Sequence, residues 1–218
     1  MSERPQLTAR RAHLDATTMP PLGDGERLLY VMGPSGAGKD SVLAAALAIL
    51  RPEEPLRLAR RTVARPRGAA SAADETVSLP EMRRWLSEGE FALHWEAHGC
   101  LYGIRWAALE QWLAGDWVLI NGSRAHWLRW SPQVPAARSI CITAPEDVLR
   151  ERLLRRGRDS GSQVEARMAR HREFEGMPAD LVLRNEGDVT STALALVAWW
   201  RGLLDGKTGR AARARSAA

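Results

Sequence analysis

Short apolar runs alternate along the chain with longer stretches in which apolar and polar residues repeat at helical spacing. Arg27 to Met32 (RLLYVM) is apolar and partly β-branched and ends at a glycine, as expected of a strand buried in a parallel sheet. Asp40 to Leu50 (DSVLAAALAIL) is rich in alanine and leucine, which favour helix, and Pro52 stops it. The predicted order is strand, glycine-rich loop, helix.

Arg57 to Thr76 is polar, arginine-rich and weakly periodic. Ser78, Pro80 and Glu81 then supply helix-start chemistry ahead of MRRWLSEG, and Gly89 closes that helix. FALHW predicts a short strand, YGI the start of another element, and WAALEQWLAG an amphipathic helix ending at Gly115. DWVLING and RSICITA predict two further buried strands, and DLVLRN a last short one. Helices are expected over PEDVLRERLLRRG, with proline in its first turn, over the arginine-rich SQVEARMARHREFEG, and from about Val189 to Leu204, where Trp199 and Trp200 should dock on the sheet. Strands and helices in this alternation predict an α/β fold of three layers, a mostly parallel central sheet with helices on both faces and ligands at the carboxyl ends of its strands. No internal repeat is present.

The first loop changes the picture from architecture to chemistry. Gly33, Gly38 and Lys39 satisfy the phosphate-loop pattern G-x-x-x-x-G-K, and Gly36 adds another point where the backbone can turn tightly. Glycines let successive amides face phosphate oxygens, the helix that follows adds the positive end of its dipole, and the lysine reaches the β and γ phosphates. ATP is therefore expected on Gly33, Pro34, Ser35, Gly36, Ala37, Gly38, Lys39, Asp40 and Ser41. Asp40 stands where a serine or threonine hydroxyl would ordinarily touch Mg²⁺. A helix turns about 100° per residue, so Ser41 does not simply inherit that contact. Two readings of Asp40 stay open: a hard carboxylate ligand that supports Mg²⁺ directly or through water, or a residue that only complements the helix dipole.

Size and composition narrow the context. The 218 residues suit one compact domain, over about 27–205, with a leader over 1–26 that is expected to be flexible and holds no apolar stretch of the secretory kind. Hydrophobic residues are 45% and charged residues 26%, and no apolar run approaches the roughly 18 residues of a membrane span. Cys100 and Cys141 are too few for a disulfide scaffold and fit a reducing compartment, so the cytoplasm is expected. The net charge of +5 raises the question of nucleic acid. Arginine also gathers where several phosphates must be neutralised, no stretch interleaves aromatic and basic residues, and part of the charge lies in a basic tail over 206–218 that reads as flexible and solvated. Neither a nucleic-acid nor a membrane partner is expected. His94 and His98 lie four apart with Cys100 beyond, but HWEAH is not H-E-x-x-H and no ligand cluster follows. Trp106 and Trp112 sit at amphipathic helical positions and read as core.

GPSGAGKDS, TVARPR, FALHWEAHGCLYG, VLINGSRA, RLLRRGRDS and VEARMARHR occur in the order found in the guanylate kinase superfamily, which the chain resembles over about 27–205. The resemblance implies a P-loop kinase with a small acceptor-binding insertion at about 57–105 and an arginine-rich lid at about 155–172. It implies that Arg65 and Tyr102 hold the acceptor phosphate, with Arg67 a looser candidate, one residue short of the family's second arginine. It further implies that Arg156 and Arg167 close on the transferring phosphoryl group alongside Lys39, with Arg158 and Arg170 nearby. Three family positions that read guanine, a serine, a glutamate and an aspartate, are here Arg61, His94 and Asn121. Guanine offers N–H donors to carboxylates, so losing both acids and gaining an arginine leaves a more positive pocket for a substrate with extra negative charge.

Together with GKDS, YGI and NGSRA, that pattern resembles the ribose 1,5-bisphosphate phosphokinases within the superfamily. Their implied reaction, in phosphonate breakdown, is formation of phosphoribosyl pyrophosphate from ATP, with one substrate phosphate on Arg65 and Tyr102 and the other met by Arg61, His94 and Arg124. A nucleoside monophosphate kinase and a noncatalytic binding module of this fold are the competing readings. An intact Lys39 and glycine loop count against the second.

Overall fold

The structure is a computed structural model that describes residues 22–65, 74–97, 99–157 and 160–216. Most of the expected leader, Arg67, His98, Arg158 and the last two residues lie outside the described residues.

Five parallel strands form the central sheet in the order β2-β7-β1-β8-β9: β1 (Leu28–Met32), β2 (Leu56–Leu58), β7 (Trp117–Asn121), β8 (Arg138–Thr143) and β9 (Leu181–Arg184). Along β1 the side chains alternate between two cores: Leu29 and Val31 enter one, and Leu28, Tyr30 and Met32 the other. This period of two is why the whole run is apolar, since both faces are covered. Helices α1 (Lys39–Ile49), α5 (Glu146–Arg155), α6 (Gly161–Glu173) and α7 (Val189–Ser216) cover the first face, to which they send Val42, Leu43, Leu149, Val164 and Trp200. Helix α4 (Arg124–Trp130) covers the second face together with a smaller sheet ordered β4-β3-β6-β5.

That smaller sheet consists of β3 (Arg61–Ala64), β4 (Asp74–Val77), β5 (Phe91–Ala97) and β6 (Cys100–Arg105), with α2 (Leu79–Ser87) between β4 and β5. Strands β3 and β4 run parallel, and β6 pairs antiparallel with both β3 and β5. Ser78 caps α2 by accepting the Glu81 amide at 3.2 Å, and Gly89 follows in the left-handed conformation, as the sequence led one to expect.

Four differences from the sequence expectations have physical reasons. Three short strands lie within the weakly periodic Arg57–Thr76 region and its flanks, because their partners are distant in sequence. Of these, β2 joins the central sheet, whereas β3 and β4 belong to the smaller one. WAALEQWLAG is not one helix but a 3-10 turn, Trp106–Leu109, followed by a short α3 (Glu110–Leu113). Trp106 and Trp112 both pack on the core, whereas an unbroken α-helix would set them about 120° apart around its axis. Helix α4 follows Ser123, whose hydroxyl accepts the His126 amide at 3.2 Å, a capping signal that the sequence does carry. Finally, α7 does not end near Leu204 but runs to Ser216, through most of the segment expected to be a flexible tail. Alanine and arginine sustain helix even without an apolar stripe. No described helix is long and apolar enough to cross a membrane.

Candidate active site

The loop between β1 and α1 owes its shape to glycines with no room for a side chain. Gly33, Gly36 and Gly38 take φ of 147°, 92° and 79°. A Cβ on Gly33 would lie 1.9 Å from the Ile142 carbonyl oxygen, and one on Gly38 would lie 2.5 Å from Asn185 Nδ2. Left-handed residues interleaved with ordinary ones turn main-chain amides inward as an anion-binding nest, here at the start of α1. Asn185, next to the end of β9, braces the loop from below by donating from Nδ2 to the Ala37 carbonyl at 2.8 Å. Lys39 lies across the loop, its ammonium donating to the carbonyls of Gly33 at 2.9 Å and Pro34 at 3.1 Å. Burial pushes its pKa down to about 8; Asp40 opposes this, while Arg61 and Arg124 reinforce it.

Two arginines reach the loop from the far side. Arg167 on α6 donates to Ser35 Oγ at 3.0 Å, and Arg152 on α5 approaches the Gly36 carbonyl at 3.5 Å. Ion pairs hold α5 and α6 together: Arg150 with Glu165 at 3.3 Å, and Arg172 Nε with Glu146 at 3.2 Å. Arg156, expected here, is exposed at the C-terminal end of α5. It caps the helix four residues beyond Arg152, on the same side but about one turn further along the axis, and Arg152 is the one that reaches the loop.

Across the site, Arg61 and Arg65 from the β3 region converge on the buried carboxylate of Asp74. Arg61 donates to it from Nε at 2.9 Å and Nη2 at 3.2 Å, and Arg65 from Nη2 at 3.1 Å. Arg61 also donates to the Asn121 carbonyl at 3.3 Å and lies 5.1 Å over the Tyr102 ring, which stacks on Trp95. Arg61 is thus a tie between the insertion and the central sheet, with most of its donors engaged by protein. Asn121, at the end of β7, donates from Nδ2 to Asp40 Oδ1 at 2.6 Å. An ionised carboxylate can only accept, so the amide must present nitrogen to Asp40. Its own oxygen is then left buried without a partner among the described residues. Asp40 is half-exposed, 3.9 Å from Arg61, and Ser41 is exposed one residue on.

Arg124 is buried at the start of α4. It points toward the C-terminal end of α6, 3.4 Å from the His171 carbonyl and 3.5 Å from that of Arg170, and lies 5.0 Å over Phe174. Burial lowers its pKa, and it acts in turn on Lys39 and on the Cys141 thiol, which burial pushes up. His94 is not brought to this cluster. It pairs with Gly103, and neighbouring residues of a strand face opposite sides, so it is exposed on the other face of the sheet from Tyr102 and Trp95. Beneath Tyr102 lies a packed aromatic group absent from the sequence reading. Tyr30 Oη accepts the Ser123 amide at 3.0 Å and sits 2.8 Å from His126 Nδ1; burial holds His126 down to about 4. Gly122 admits the Tyr30 hydroxyl, since a Cβ there would lie 2.0 Å from it.

Lys39, Arg152 and Arg167 therefore converge on the phosphate loop, Arg61 and Arg65 meet at Asp74 beside Tyr102, and Asp40 and Asn121 stand between the two groups. Such an arrangement can align two phosphates and neutralise charge passing between them.

No protein-family profile matches the chain. Over 178 residues, 78% of this chain and 93% of the relative, it is 41% identical to the ribose 1,5-bisphosphate phosphokinase PhnN of Pseudomonas fluorescens. It is likewise 41% identical, over 172 residues covering 78% of this chain and 91% of the relative, to the protein of the same name from Desulfomicrobium baculatum. Among solved structures, a guanylate kinase from Anaplasma phagocytophilum matches with a TM-score of 0.56 at 22% identity, covering 82% of this chain and 85% of that one, a likeness of fold.

Proposed function

Since the chain belongs to the ribose 1,5-bisphosphate phosphokinase family, we propose that it transfers the γ-phosphoryl group of ATP to the 1-phosphate of ribose 1,5-bisphosphate. An oxygen of that phosphate attacks the γ phosphorus, the bond from the γ phosphorus to the β–γ bridging oxygen breaks, and ADP leaves with 5-phosphoribosyl 1-diphosphate as product. The acceptor oxygen is already anionic, so no general base is needed and the work is alignment and charge neutralisation.

The observation that carries this reading is the concentration of positive charge on both sides of the site. Lys39, Arg152 and Arg167 gather at the phosphate loop, and Arg61 and Arg65 lie beside it around Asp74. Arg65 and Tyr102 take the acceptor phosphate, and Lys39, Arg152 and Arg167 grip the transferring group. The unpartnered amide oxygen of Asn121 suits a sugar hydroxyl, which brings its own donor.

Mg²⁺ fits the half-exposed Asp40 carboxylate, held by Asn121 through one oxygen beside the phosphate loop, because this ion takes one or two carboxylates and leaves the rest to phosphates and water. When bound it neutralises charge on the β and γ phosphates. Two cysteines, Cys100 and Cys141, are too few for a disulfide scaffold, which supports a cytoplasmic site of action.

Phosphorus NMR of purified protein with Mg²⁺, ATP and ribose 1,5-bisphosphate tests the reading. Coupled diphosphate resonances of a sugar diphosphate, rising in step with ADP, are expected. ADP with free phosphate and no such resonances would contradict it.

A further inference from the structure

Asp74 lies in the weakly periodic stretch where the sequence marks no function, yet it occupies the centre of the acceptor side. It faces Arg61 directly across the parallel pair β3 and β4. Its carboxylate is 3% exposed and receives three hydrogen bonds, two from Arg61 and one from Arg65, whose side chains are 13% and 18% exposed. Arg61 is further fixed by the Asn121 carbonyl and the Tyr102 ring.

Two guanidiniums this close repel one another, and each has several rotamers open to it. A single carboxylate between them offsets their repulsion and sets both planar groups at fixed angles. An incoming phosphate dianion meets two guanidiniums that it does not have to order itself, which is where pre-organisation gains affinity.

The structure assigns Asp74 as a positioning residue for the acceptor phosphate, acting through Arg65 and Arg61. This rests on the reading above that the Arg65 side of the site takes the acceptor. A simple balance of charge leads to the opposite expectation, that removing a carboxylate from a phosphate site tightens binding. The geometry decides against it here: the carboxylate is spent on the arginines, and its loss leaves two largely covered cations without the anion they share.

The test is Asp74→Asn, which keeps shape but cannot accept from both arginines as an anion. The acceptor KM is expected to rise about tenfold or more, as for loss of one partner of a buried charge pair, with kcat and the ATP KM held within about twofold. Placed on the double variant Arg61→Ala, Arg65→Ala, the same change should raise the acceptor KM by less than about threefold, since both residues it acts through have gone. An unchanged or lowered acceptor KM, or a full effect in that double-variant background, would overturn the assignment. Should Asp74→Asn not fold, Asp74→Glu keeps the charge but displaces the carboxylate, and must itself raise the acceptor KM. Wild-type protein assayed alongside separates the two claims: failure to turn over ribose 1,5-bisphosphate sinks the substrate reading, whereas Asp74 is then judged on whichever phosphate acceptor the wild type uses.

Discussion

Arg167 Nη1 donates a 3.0 Å hydrogen bond to Ser35 Oγ, joining α6 to the phosphate loop. Arg152 approaches the same loop from α5, whereas Arg156 is exposed. Substituting alanine for Arg167 should lower kcat about 100-fold or more, as for removal of a donor aimed at transition-state charge. Arg152→Ala should cost more than Arg156→Ala. Steady-state kinetics on the three variants check the order; Arg156→Ala as the most damaging would reverse the assignment.

Lys39 carries a pH dependence with a definite sign. Burial holds its pKa at about 8, below the ordinary 10.5, so in the free protein the ammonium is lost as pH rises through about 8. ATP needs the charged form, so its dissociation constant should be nearly flat below pH 7 and rise about fivefold between pH 8 and 9. Calorimetric titration across that range checks it, with Lys39→Met as the control that should show no such step.

The contact between Gly38 and Asn185 predicts a rescue. Gly38→Ala places a Cβ 2.5 Å from Asn185 Nδ2 on a left-handed backbone, adding steric conflict to a conformational cost of about 1–2 kcal/mol. Asn185→Ala removes the hydrogen bond to Ala37 and costs about 1 kcal/mol on its own. Because the second change removes the clash made by the first, the double variant should melt above the sum of the two losses. Strict additivity in thermal denaturation would contradict the contact.

Asp40 can be separated from its dipole role by Asp40→Asn, which still offers Asn121 an oxygen but loses the charge. The Mg²⁺ concentration giving half-maximal rate should rise about tenfold or more, in the range seen when a group that supports a metal is altered. An unchanged Mg²⁺ requirement would leave Asp40 only the helix dipole.

What the sequence disclosed follows from the range of the interactions involved. The phosphate loop is legible because strand, glycines, lysine and helix are consecutive, and each glycine answers a local backbone demand. Lys39 and the loop could be named without any partner. Asp74 could not, because its meaning comes from the pairing that sets it opposite Arg61, thirteen residues away, in strands too short and polar to show a period. Arg152 and Arg156 have the same chemistry on one helix, and only the packing of α5 against the loop selects between them. His94 is a family position whose side the strand pleat decides, and here the pleat sets it opposite Gly103, on the other face from Trp95 and Tyr102. Tyr30 and His126 read as strand and helix filler until the fold stacks them under Tyr102 and Trp95.

The account stands most directly on substrate choice. With Mg²⁺ and ATP, equal concentrations of ribose 1,5-bisphosphate and GMP in one reaction give the ratio of the two kcat/KM values from the ratio of products. The account predicts that the sugar bisphosphate is consumed first, by about 100-fold or more, since a pocket that pairs its acids with arginine and amide leaves guanine's donors unmet. Preferential conversion of GMP would contradict it.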